Sequence, residues 1–350
     1  YQTFMPPVGG IADRPTDVKP GMVYYNKDFK TIEFWDGNFW KQVDYTTRRG
    51  RAVIAGGYDI ISPAGAFKYI ETLDLSSGGN TTNFGSLAST GNAMSAMSNS
   101  TRMLMVLSDG ASIEYITIAS EGNPIDFGDM HTMMYRTGGE GASSTRGLLL
   151  GGRGAPGSGI KNIQYVEMGT LGNMLDFGDL NTNGRGQSSG GASPIRAFAT
   201  SFTTYGSKVE MVTIASTGNA INFGNLTFNG GYNGGATNNR ILIVAGGYSG
   251  SDPSTIRKDI CRFDMTSGGQ AVAFGEFELQ RGYGGATSNQ IRGVYCGGFN
   301  GNPGGGNTNT AEIESVEFAS DGGATSFGDL GQRGYDQACS SDSHGGLGGF

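Results

Sequence analysis

Two stretches of the chain, IEYITIASEGNPIDFGDM at 113–130 and VEMVTIASTGNAINFGNL at 209–226, are near copies of one pattern. The Phe-Gly pair of this pattern occurs six times, with spacings of 43, 50, 46, 51 and 53 residues, at Phe84, Phe127, Phe177, Phe223, Phe274 and Phe327. A self-similar period of about 50 residues is typical of repeat architectures. The fold is therefore predicted from the repeat.

Each copy contains a strand and a turn at fixed distances from its Phe. Thirteen residues before each Phe, directly after an Ile or Val, are Glu71, Glu114, Gln164, Glu210, Cys261 and Glu314. Apolar residues follow two and four positions later, an alternation that predicts a half-buried strand. Five residues before each Phe are Gly79, Gly122, Gly172, Gly218, Gly269 and Gly322, four of them followed by Asn. Because Gly and Asn tolerate positive φ, we expect a hairpin turn here.

A second fixed interval of 17 to 19 residues leads from each Phe-Gly pair to Arg102, Arg146, Arg196, Arg240, Arg292 and finally His344, where Arg would be expected; Arg51 precedes the first copy. Each Arg opens a short apolar stretch, such as RGLLLGG at 146–152, and a Gly/Ala/Ser-rich segment precedes it. Each unit thus contains four strands. Four-stranded units of this length predict an all-β fold, a β-propeller whose small-residue strands crowd around a central channel.

The length variation between copies lies in the loop from the second to the third strand. These loops are Tyr58–Lys68, Ser108–Ser112, Arg153–Asn162, Thr203–Ser207, Tyr248–Lys258 and Phe299–Thr310. In a propeller they emerge on one face, which predicts either a binding surface on a rigid scaffold or loops that vary because nothing constrains them.

The chain ends suggest how the ring closes. The repeat begins at the Arg51 strand without an inner strand ahead of it, whereas YDQACSSDS at 335–343 is an inner-strand segment with no later unit to join. Their pairing would give six blades. The surplus HGGLGGF at 344–350, read as a further strand, leaves a seven-bladed alternative, completed by the hairpin TIEFWDGNFWKQV at 31–43.

Composition excludes several classes of protein. Charged residues make up 16%, the net charge is −7 without a basic block, and no apolar run is long enough to span a bilayer, so we expect no nucleic-acid partner and no membrane insertion. Cys261, Cys296 and Cys339 show neither zinc nor disulfide spacing and are predicted to be small core residues.

The repeat R…S…RG(x)₃GG…IEY(x)₂IASxGNxxxFGDL, over residues 51–350, resembles the kelch-like repeats of structural and tail-fibre proteins from marine cyanophages and related tailed phages. Ahead of it, PGMVYYNKDFKTIEFWDGNFWKQV at 20–43 is similar to a short aromatic hairpin of phage virion proteins. The resemblance implies a kelch-like propeller and a location in the virion.

No residue pattern points to an enzyme. Copper chemistry of the galactose-oxidase type needs more ligands than His131 and His344, and no sialidase Asp-box occurs. Most acidic residues repeat with the architecture, and those that break the repeat, Asp59 and Asp252, are isolated, so no carboxylate pair for glycoside cleavage is visible. Nor is there a phosphate loop. The repeated Arg and Glu are expected to pair, as Arg102 with Glu114 and Arg196 with Glu210.

These observations predict a non-enzymatic phage virion protein, such as a tail fibre, in several copies per particle and without metal or cofactor. Residues 1–48 would dock onto other virion proteins, with Trp35 and Trp40 in the contact. Residues 49–350 would form the propeller, whose loop face would contact host envelope glycans. The residues predicted for that face are Tyr58, Asp59, Tyr248, Asp252, Arg257 and Phe299. The alternatives are a purely structural decoration or connector protein and, less favoured, a polysaccharide depolymerase.

Overall fold

A computed structural model describes residues 5–27, 31–35, 37, 40–43, 50–61, 63–91, 94–106, 111–134, 140–154, 159–184, 189–200, 206–249, 255–301, 307–320 and 322–348. The chain divides into two compact units, Tyr1–Arg49 and Gly50–Phe350. Within the described ranges, no helix is long and apolar enough to cross a bilayer.

The first unit is a small sheet with the order β1-β2-β3-β4. Its strands are β1 Val8–Gly9, β2 Val23–Asn26, β3 Thr31–Trp35 and β4 Trp40–Val43, with a 3-10 turn at Ile11–Asp13. The β3–β4 hairpin places Trp35 opposite Trp40. The Trp40 ring also lies 5.7 Å from that of Tyr24, so aromatic packing stabilises this small sheet.

The second unit contains, in the part of the chain described, six sheets with one repeated strand order, numbered here 1 to 6 along the chain. The innermost strands of sheets 1 to 6 are β32 Ala338–Ser341, β9 Ser95–Ser98, β13 Glu140–Ala142, β17 Gly190–Ala192, β21 Gly234–Thr237 and β26 Gly285–Ser288. The second strands are β5 Arg51–Ala55, β10 Arg102–Val106, β14 Arg146–Arg153, β18 Arg196–Thr200, β22 Ile241–Ala245 and β27 Arg292–Cys296. The third strands are β7 Gly65–Asp74, β11 Ser112–Thr117, β15 Gly159–Glu167, β19 Lys208–Thr213, β23 Asp259–Asp264 and β30 Glu312–Glu317. The outermost strands are β8 Thr82–Gly91, β12 Ile125–Asp129, β16 Leu175–Gly184, β20 Ile221–Asn225, β25 Val272–Glu276 and β31 Thr325–Asp329.

Four shorter strands complete the second unit: β6 Tyr58–Asp59, β24 Gly269–Gln270, β28 Phe299–Gly301 and β29 Asn307–Asn309. The second-to-third-strand loop of sheet 6 contains the β28–β29 hairpin, and that of sheet 1 contains β6, which pairs with β7. The described chain is thus nearly all-β, in four-stranded antiparallel sheets, as in a propeller-like fold.

The strand from the C-terminal end joins the sheet that begins the repeat. Strand β32 pairs with β5, with Ala338 opposite Ala55 and Ser341 opposite Ala52. Each innermost strand also lies beside the innermost strands of two other sheets, and the innermost strand of sheet 6 lies beside that of sheet 1. These strands crowd closely, since a Cβ on Gly235 would collide with the carbonyl oxygen of Gly190.

The structure contradicts two elements of the seven-bladed alternative. The described part of HGGLGGF, residues 344–348, does not supply a strand, because Gly345–Leu347 forms a 3-10 turn, capped at Gly348 with φ of 60°. The hairpin at 31–43 pairs within the sheet of the first unit, where β3 lies between β2 and β4.

Neighbouring sheets are joined by the residues that define the repeat. The N–H of the turn Gly donates to the Phe carbonyl of the preceding sheet, as from Gly122 to Phe84 at 3.0 Å and from Gly172 to Phe127 at 3.0 Å. The same bond joins the last sheet to the first, from Gly79 to Phe327 at 2.8 Å. Turn glycines such as Gly172 have positive φ, but the adjacent Asn residues do not. Asn side chains serve instead as acceptors, for example from the Asp129 N–H to Asn173 Oδ1 at 3.0 Å.

Apolar packing joins the same pairs of neighbouring sheets. Each of six clusters combines residues of two neighbouring sheets, including one between sheets 6 and 1 that contains Leu73, Val294 and Cys339. All three cysteines are buried thiols outside any disulfide, as predicted, and burial raises the pKa of Cys261 to about 11. The main cores of this unit therefore lie between the sheets.

The predicted pairing of Arg102 with Glu114 and of Arg196 with Glu210 is wrong. Arg102 lies opposite Thr117 in the strand register, about three residues, or ~10 Å, from Glu114. Its guanidinium donates instead to the Met168 carbonyl of the next sheet at 3.0 Å and lies over the Tyr115 ring.

Arg196 likewise donates to the Met265 carbonyl of the next sheet, at 2.9 Å. Glu210 accepts from the Asn181 N–H at 2.8 Å and the Thr182 hydroxyl at 2.7 Å, both in β16, the outermost strand of the preceding sheet. Both residue types thus join neighbouring sheets through hydrogen bonds to backbone groups, and these bonds need no Arg–Glu pair.

Candidate functional site

One region of the second unit departs from the repeat, in the loops of sheets 5, 6 and 1. After the second strand of these sheets comes Gly-Gly followed by an aromatic residue, at Tyr248, Phe299 and Tyr58. Each aromatic residue forms a backbone bridge to the segment that precedes the innermost strand of its own sheet: Tyr248 with Gly231, Phe299 with Gly282 and Tyr58 with Tyr335. In each of these sheets, the bridge therefore holds the second-to-third-strand loop beside the segment that precedes the innermost strand.

The rings of this region form one aromatic cluster, defined here as Tyr58, Tyr232, Tyr248, Tyr283, Phe299 and Tyr335. The Tyr232 and Tyr283 rings are stacked with centroids 4.1 Å apart, and the Tyr248 and Phe299 rings lie 6.2 Å apart. Tyr335 contacts the rings of Tyr58, Tyr283 and Phe299, all at 5.7–5.9 Å. The structure therefore brings together the three aromatic residues predicted for the loop face.

Two of the aromatic residues predicted for the loop face are less exposed than a glycan contact would need. Tyr248 and Phe299 are only 7% and 8% exposed, because other rings of the cluster cover them, so they do not present free ring faces. Tyr58, Tyr232, Tyr283 and Tyr335 are half-buried and supply the accessible aromatic surface.

Sequence reasoning missed Tyr232, Tyr283 and Tyr335. The available signal was a Gly-Tyr pair just before the innermost strand, at spacings of 51 and 52 residues. Tyr232 and Tyr283 have φ of 60° and 58°, which is uncommon for aromatic residues. Backbone bonds hold this conformation, since the Tyr283 N–H donates to the Tyr232 carbonyl at 2.8 Å and the Asp336 N–H to the Tyr283 carbonyl at 2.8 Å.

The predicted charged residues of the loop face are paired. Asp59 is 9% exposed and accepts from Arg333 Nε at 2.9 Å and from the Ile61 N–H at 2.8 Å. Burial acts to raise the pKa of Asp59, but these hydrogen bonds outweigh it and the pKa is lowered, so the carboxylate is ionised at neutral pH. Arg257 is paired with Asp259 at 2.9 Å and lies over the Phe228 ring. Asp252 lies outside the described residues.

A cluster of acidic side chains that the sequence did not reveal lies where sheets 5 and 6 meet. Carboxylate oxygens of Glu278, Glu312 and Glu314 lie within 4.8 Å of one another, so the statement that no carboxylate pair breaks the repeat is wrong. Arg281, however, forms ion pairs with both Glu312 and Glu314. Glu314 is wholly buried, and burial raises its pKa. A guanidinium among the carboxylates disfavours a cation, and a buried carboxylate cannot reach a polymer, so the arrangement is that of a structural ion pair.

A cavity of about 110 Å³ lies among the innermost strands. Its lining includes the cluster residues Tyr232 and Tyr283 at one end and His344 at the other. Apart from Met94 and Met97, the other described lining residues are small or polar, among them Ser98, Thr287 and Gln337. The cavity thus joins the aromatic cluster to the interior of the second unit.

Two apolar surfaces lie elsewhere. Exposed aliphatic residues occupy the same position of the outermost strand in sheets 2 to 5: Ile125, Leu175, Ile221 and Val272. In the first unit, Trp35 and Trp40 are half-buried with ring centroids 5.7 Å apart, whereas Ile32 and Phe34 of the same hairpin are 40% and 37% exposed.

Comparison with known proteins adds information on the fold alone. No family model and no curated protein matches the chain. Many solved structures match it in fold. One, described as "Structure of YjhT", is 8% identical with a TM-score of 0.59, over 71% of this chain and 87% of that chain. At 8% identity, this similarity supports the fold and does not assign a function to the chain.

Proposed function

We propose that the six sheets of the second unit are the blades of a closed six-bladed propeller. We call the junction between two neighbouring sheets a seam. Support for closure comes from the seam between sheets 6 and 1, which contains the same hydrogen bonds as the other seams. The Gly79 N–H donates to the Phe327 carbonyl, the Asp329 N–H to Asn80 Oδ1, and the Gly331 N–H to the Glu71 carboxylate. A shared apolar cluster and the β32–β5 pairing act across the same junction.

On this scaffold we infer a non-enzymatic virion protein of a tailed phage, a tail fibre or similar appendage, that attaches to host envelope glycans. The resemblance of the repeat to the kelch-like repeats of phage structural proteins supports the virion location. The observation that carries the binding role is the aromatic cluster, because it breaks the repeat, lies on loops of three neighbouring sheets and contains four partly exposed tyrosines. Tyrosine rings stack on sugar faces and present hydroxyls for hydrogen bonding.

Several copies on one particle would raise the avidity of weak single sites. Residues 1–48 would dock the propeller onto other virion proteins. In this role, Trp35 and Trp40 organise the hairpin, while Ile32 and Phe34, on the same hairpin, offer the exposed apolar contact.

The test is to incubate the purified protein with envelope polysaccharide from its host and to follow both by size exclusion with light scattering. The proposal predicts co-elution with the polymer at unchanged length. Shortening of the polymer would overturn the non-enzymatic assignment and direct attention to Glu278 and Glu312. Absence of co-elution would overturn attachment through glycans.

A structural decoration or connector protein is the second candidate. The aliphatic row of Ile125, Leu175, Ile221 and Val272 favours it, because a row of exposed apolar side chains on the outermost strands is suited to contact with another protein. In that case Ile221→Glu with Val272→Glu would abolish incorporation into particles, whereas Tyr283→Ala would not affect attachment. Incorporation would be measured by quantifying the protein in purified particles.

A further inference from the structure

The cavity among the innermost strands has an uncharged lining. The residues that line it include serines, threonines, glycines and amides but, among those described, no Asp, Glu, Lys or Arg. Each innermost strand has a ladder partner on one side only, so backbone polar groups of its other edge face the axis. A space of about 110 Å³ with such walls has room for several water molecules, or for a polar group that displaces them.

One end of the cavity is closed by the C-terminal segment. His344 lines the cavity, and its Nε2–H donates to the Ser98 carbonyl at 2.6 Å while Nδ1 accepts from the Gly346 N–H at 3.1 Å. Gly345 and Gly346 pack so closely on the Asn238 and Ala142 carbonyls that a side chain at either would collide with them. Burial lowers the pKa of His344, so this end is also uncharged at neutral pH.

Two lining residues have a buried polar atom without a partner. Gln337 and Thr287 are 7% and 5% exposed, and Gln337 Oε1 and Thr287 Oγ1 have no hydrogen-bond partner among the described residues. Buried polar atoms left unpaired cost free energy. Rotation of a terminal amide or hydroxyl toward the cavity would allow a ligand to satisfy them.

The opposite end carries the half-buried rings of Tyr232 and Tyr283. The nearby charges are not free to bind an anion, because Arg333 is paired with Asp59 and Arg281 with Glu312. A charged ligand in the cavity would lose its hydration without gaining an opposite charge. The chemistry of the site is therefore suited to a neutral, hydroxyl-rich ligand.

We propose that this cavity is the ligand subsite of the propeller and takes the terminal, uncharged sugar ring of a glycan, end-on, with Tyr232 and Tyr283 at the entrance and Gln337 and Thr287 bonding its hydroxyls. The proposal rests on glycan attachment as the function and adds both the sugar class and the end of the chain that is recognised. Recognition of chain ends implies that single neutral sugars compete with the polymer.

The test uses the whole protein and saturation-transfer NMR at neutral pH with methyl glucoside, methyl galactoside and methyl N-acetylglucosaminide, and with glucuronate as the charged comparison. The expected result is transfer to at least one neutral glycoside and not to glucuronate, and displacement of the polysaccharide by that glycoside. Equal or stronger transfer to glucuronate would overturn the neutral class. Polysaccharide binding without transfer to any single sugar would overturn the subsite, with the cavity holding water only, while glycan attachment itself would stand. Loss of both signals would overturn both proposals.

Substitutions of Thr287 and Gln337 then test whether the ligand binds in the cavity. Thr287→Val is nearly isosteric, and Gln337→Met removes the amide at similar length, so each is expected to weaken the glycoside about tenfold, as for one lost hydrogen bond. Gln270→Met makes the same change at an exposed position of β24 and is expected to leave affinity unchanged. Thermal unfolding verifies that each variant is folded. Unchanged affinity in both cavity variants would contradict the placement.

Discussion

The seams between sheets and the loops of sheets 5, 6 and 1 use aromatic residues in opposite ways. In the seams, rings such as Phe127 are buried or half-buried at the same position of every repeat, and Arg102 or Arg146 lies over a neighbouring ring. In the loops of sheets 5, 6 and 1, by contrast, four tyrosines of the aromatic cluster interrupt the repeat and remain half-buried. The aromatic residues that repeat with the period therefore hold the sheets together, whereas those that interrupt it are available for a partner.

The largest effect is expected at the glycine of the Phe-Gly pair. A Cβ on Gly328 would collide with the Gly79 carbonyl, and a Cβ on Gly275 with the Gly322 carbonyl. Gly328→Ala and Gly275→Ala should each lower the free energy of unfolding by about 3 kcal/mol. Denaturant unfolding measures this, with Gly322→Ala, which has open space at its Cβ, as the matched control. If Gly328→Ala were mild while Gly275→Ala was severe, sheets 6 and 1 would not form a seam like the others.

A pH-dependent effect is expected at Asp342, just after strand β32. Asp342 accepts from the Arg51 N–H at 3.1 Å, and burial raises its pKa from 3.8 to about 6. Because the folded pKa is raised, the stability from the protonated form is present below pH 3.8 and is lost as pH rises through about 6. Asp342→Asn should therefore stabilise the protein by about 3 kcal/mol above pH 7, with the difference vanishing near pH 4. Thermal unfolding across pH measures it, and a constant difference would show that the carboxylate is not buried.

A smaller effect is expected from the arginines. Arg102 joins two sheets through the Met168 carbonyl and the Tyr115 ring, so Arg102→Ala should cost about 1–2 kcal/mol. Arg240 is 68% exposed and pairs with Asp264 within its own sheet. Arg240→Ala should cost under about 0.5 kcal/mol. Equal losses in denaturant unfolding would contradict the assignment of the bonds between sheets.

A small effect on stability, together with a clear effect on binding, is expected in the aromatic cluster. Tyr283→Ala removes the stacked partner of Tyr232 from a half-exposed site and should lower stability by about 1 kcal/mol, with polysaccharide binding lowered about tenfold. Tyr115→Ala, at a seam, should show the opposite balance: a larger stability loss and unchanged binding. Unchanged binding in Tyr283→Ala would remove the cluster from the proposed site.

Sequence patterns predicted the strands of each repeat well, but they predicted poorly which side chains contact one another. The Phe-Gly spacing indicated the strands, and the small-residue segment at 335–343 contains the strand that pairs with the Arg51 strand. Pairing of Arg102 with Glu114 failed because sequence order does not give register, and their positions in adjacent strands differ by about three residues. The cluster was found only in part because Tyr232, Tyr283 and Tyr335 are far from Tyr58 in sequence and meet it only when the sheets are assembled.

The most direct measurement of the central claim is hydrogen–deuterium exchange with and without host envelope polysaccharide. We expect protection at residues 57–59, 231–235, 282–287 and 334–337, around the aromatic cluster and the cavity, and unchanged exchange on the outermost strands. Protection confined to the outermost strands of sheets 2 to 5, or to the turns that join neighbouring sheets, would contradict the claim that the interruption of the repeat is the binding site.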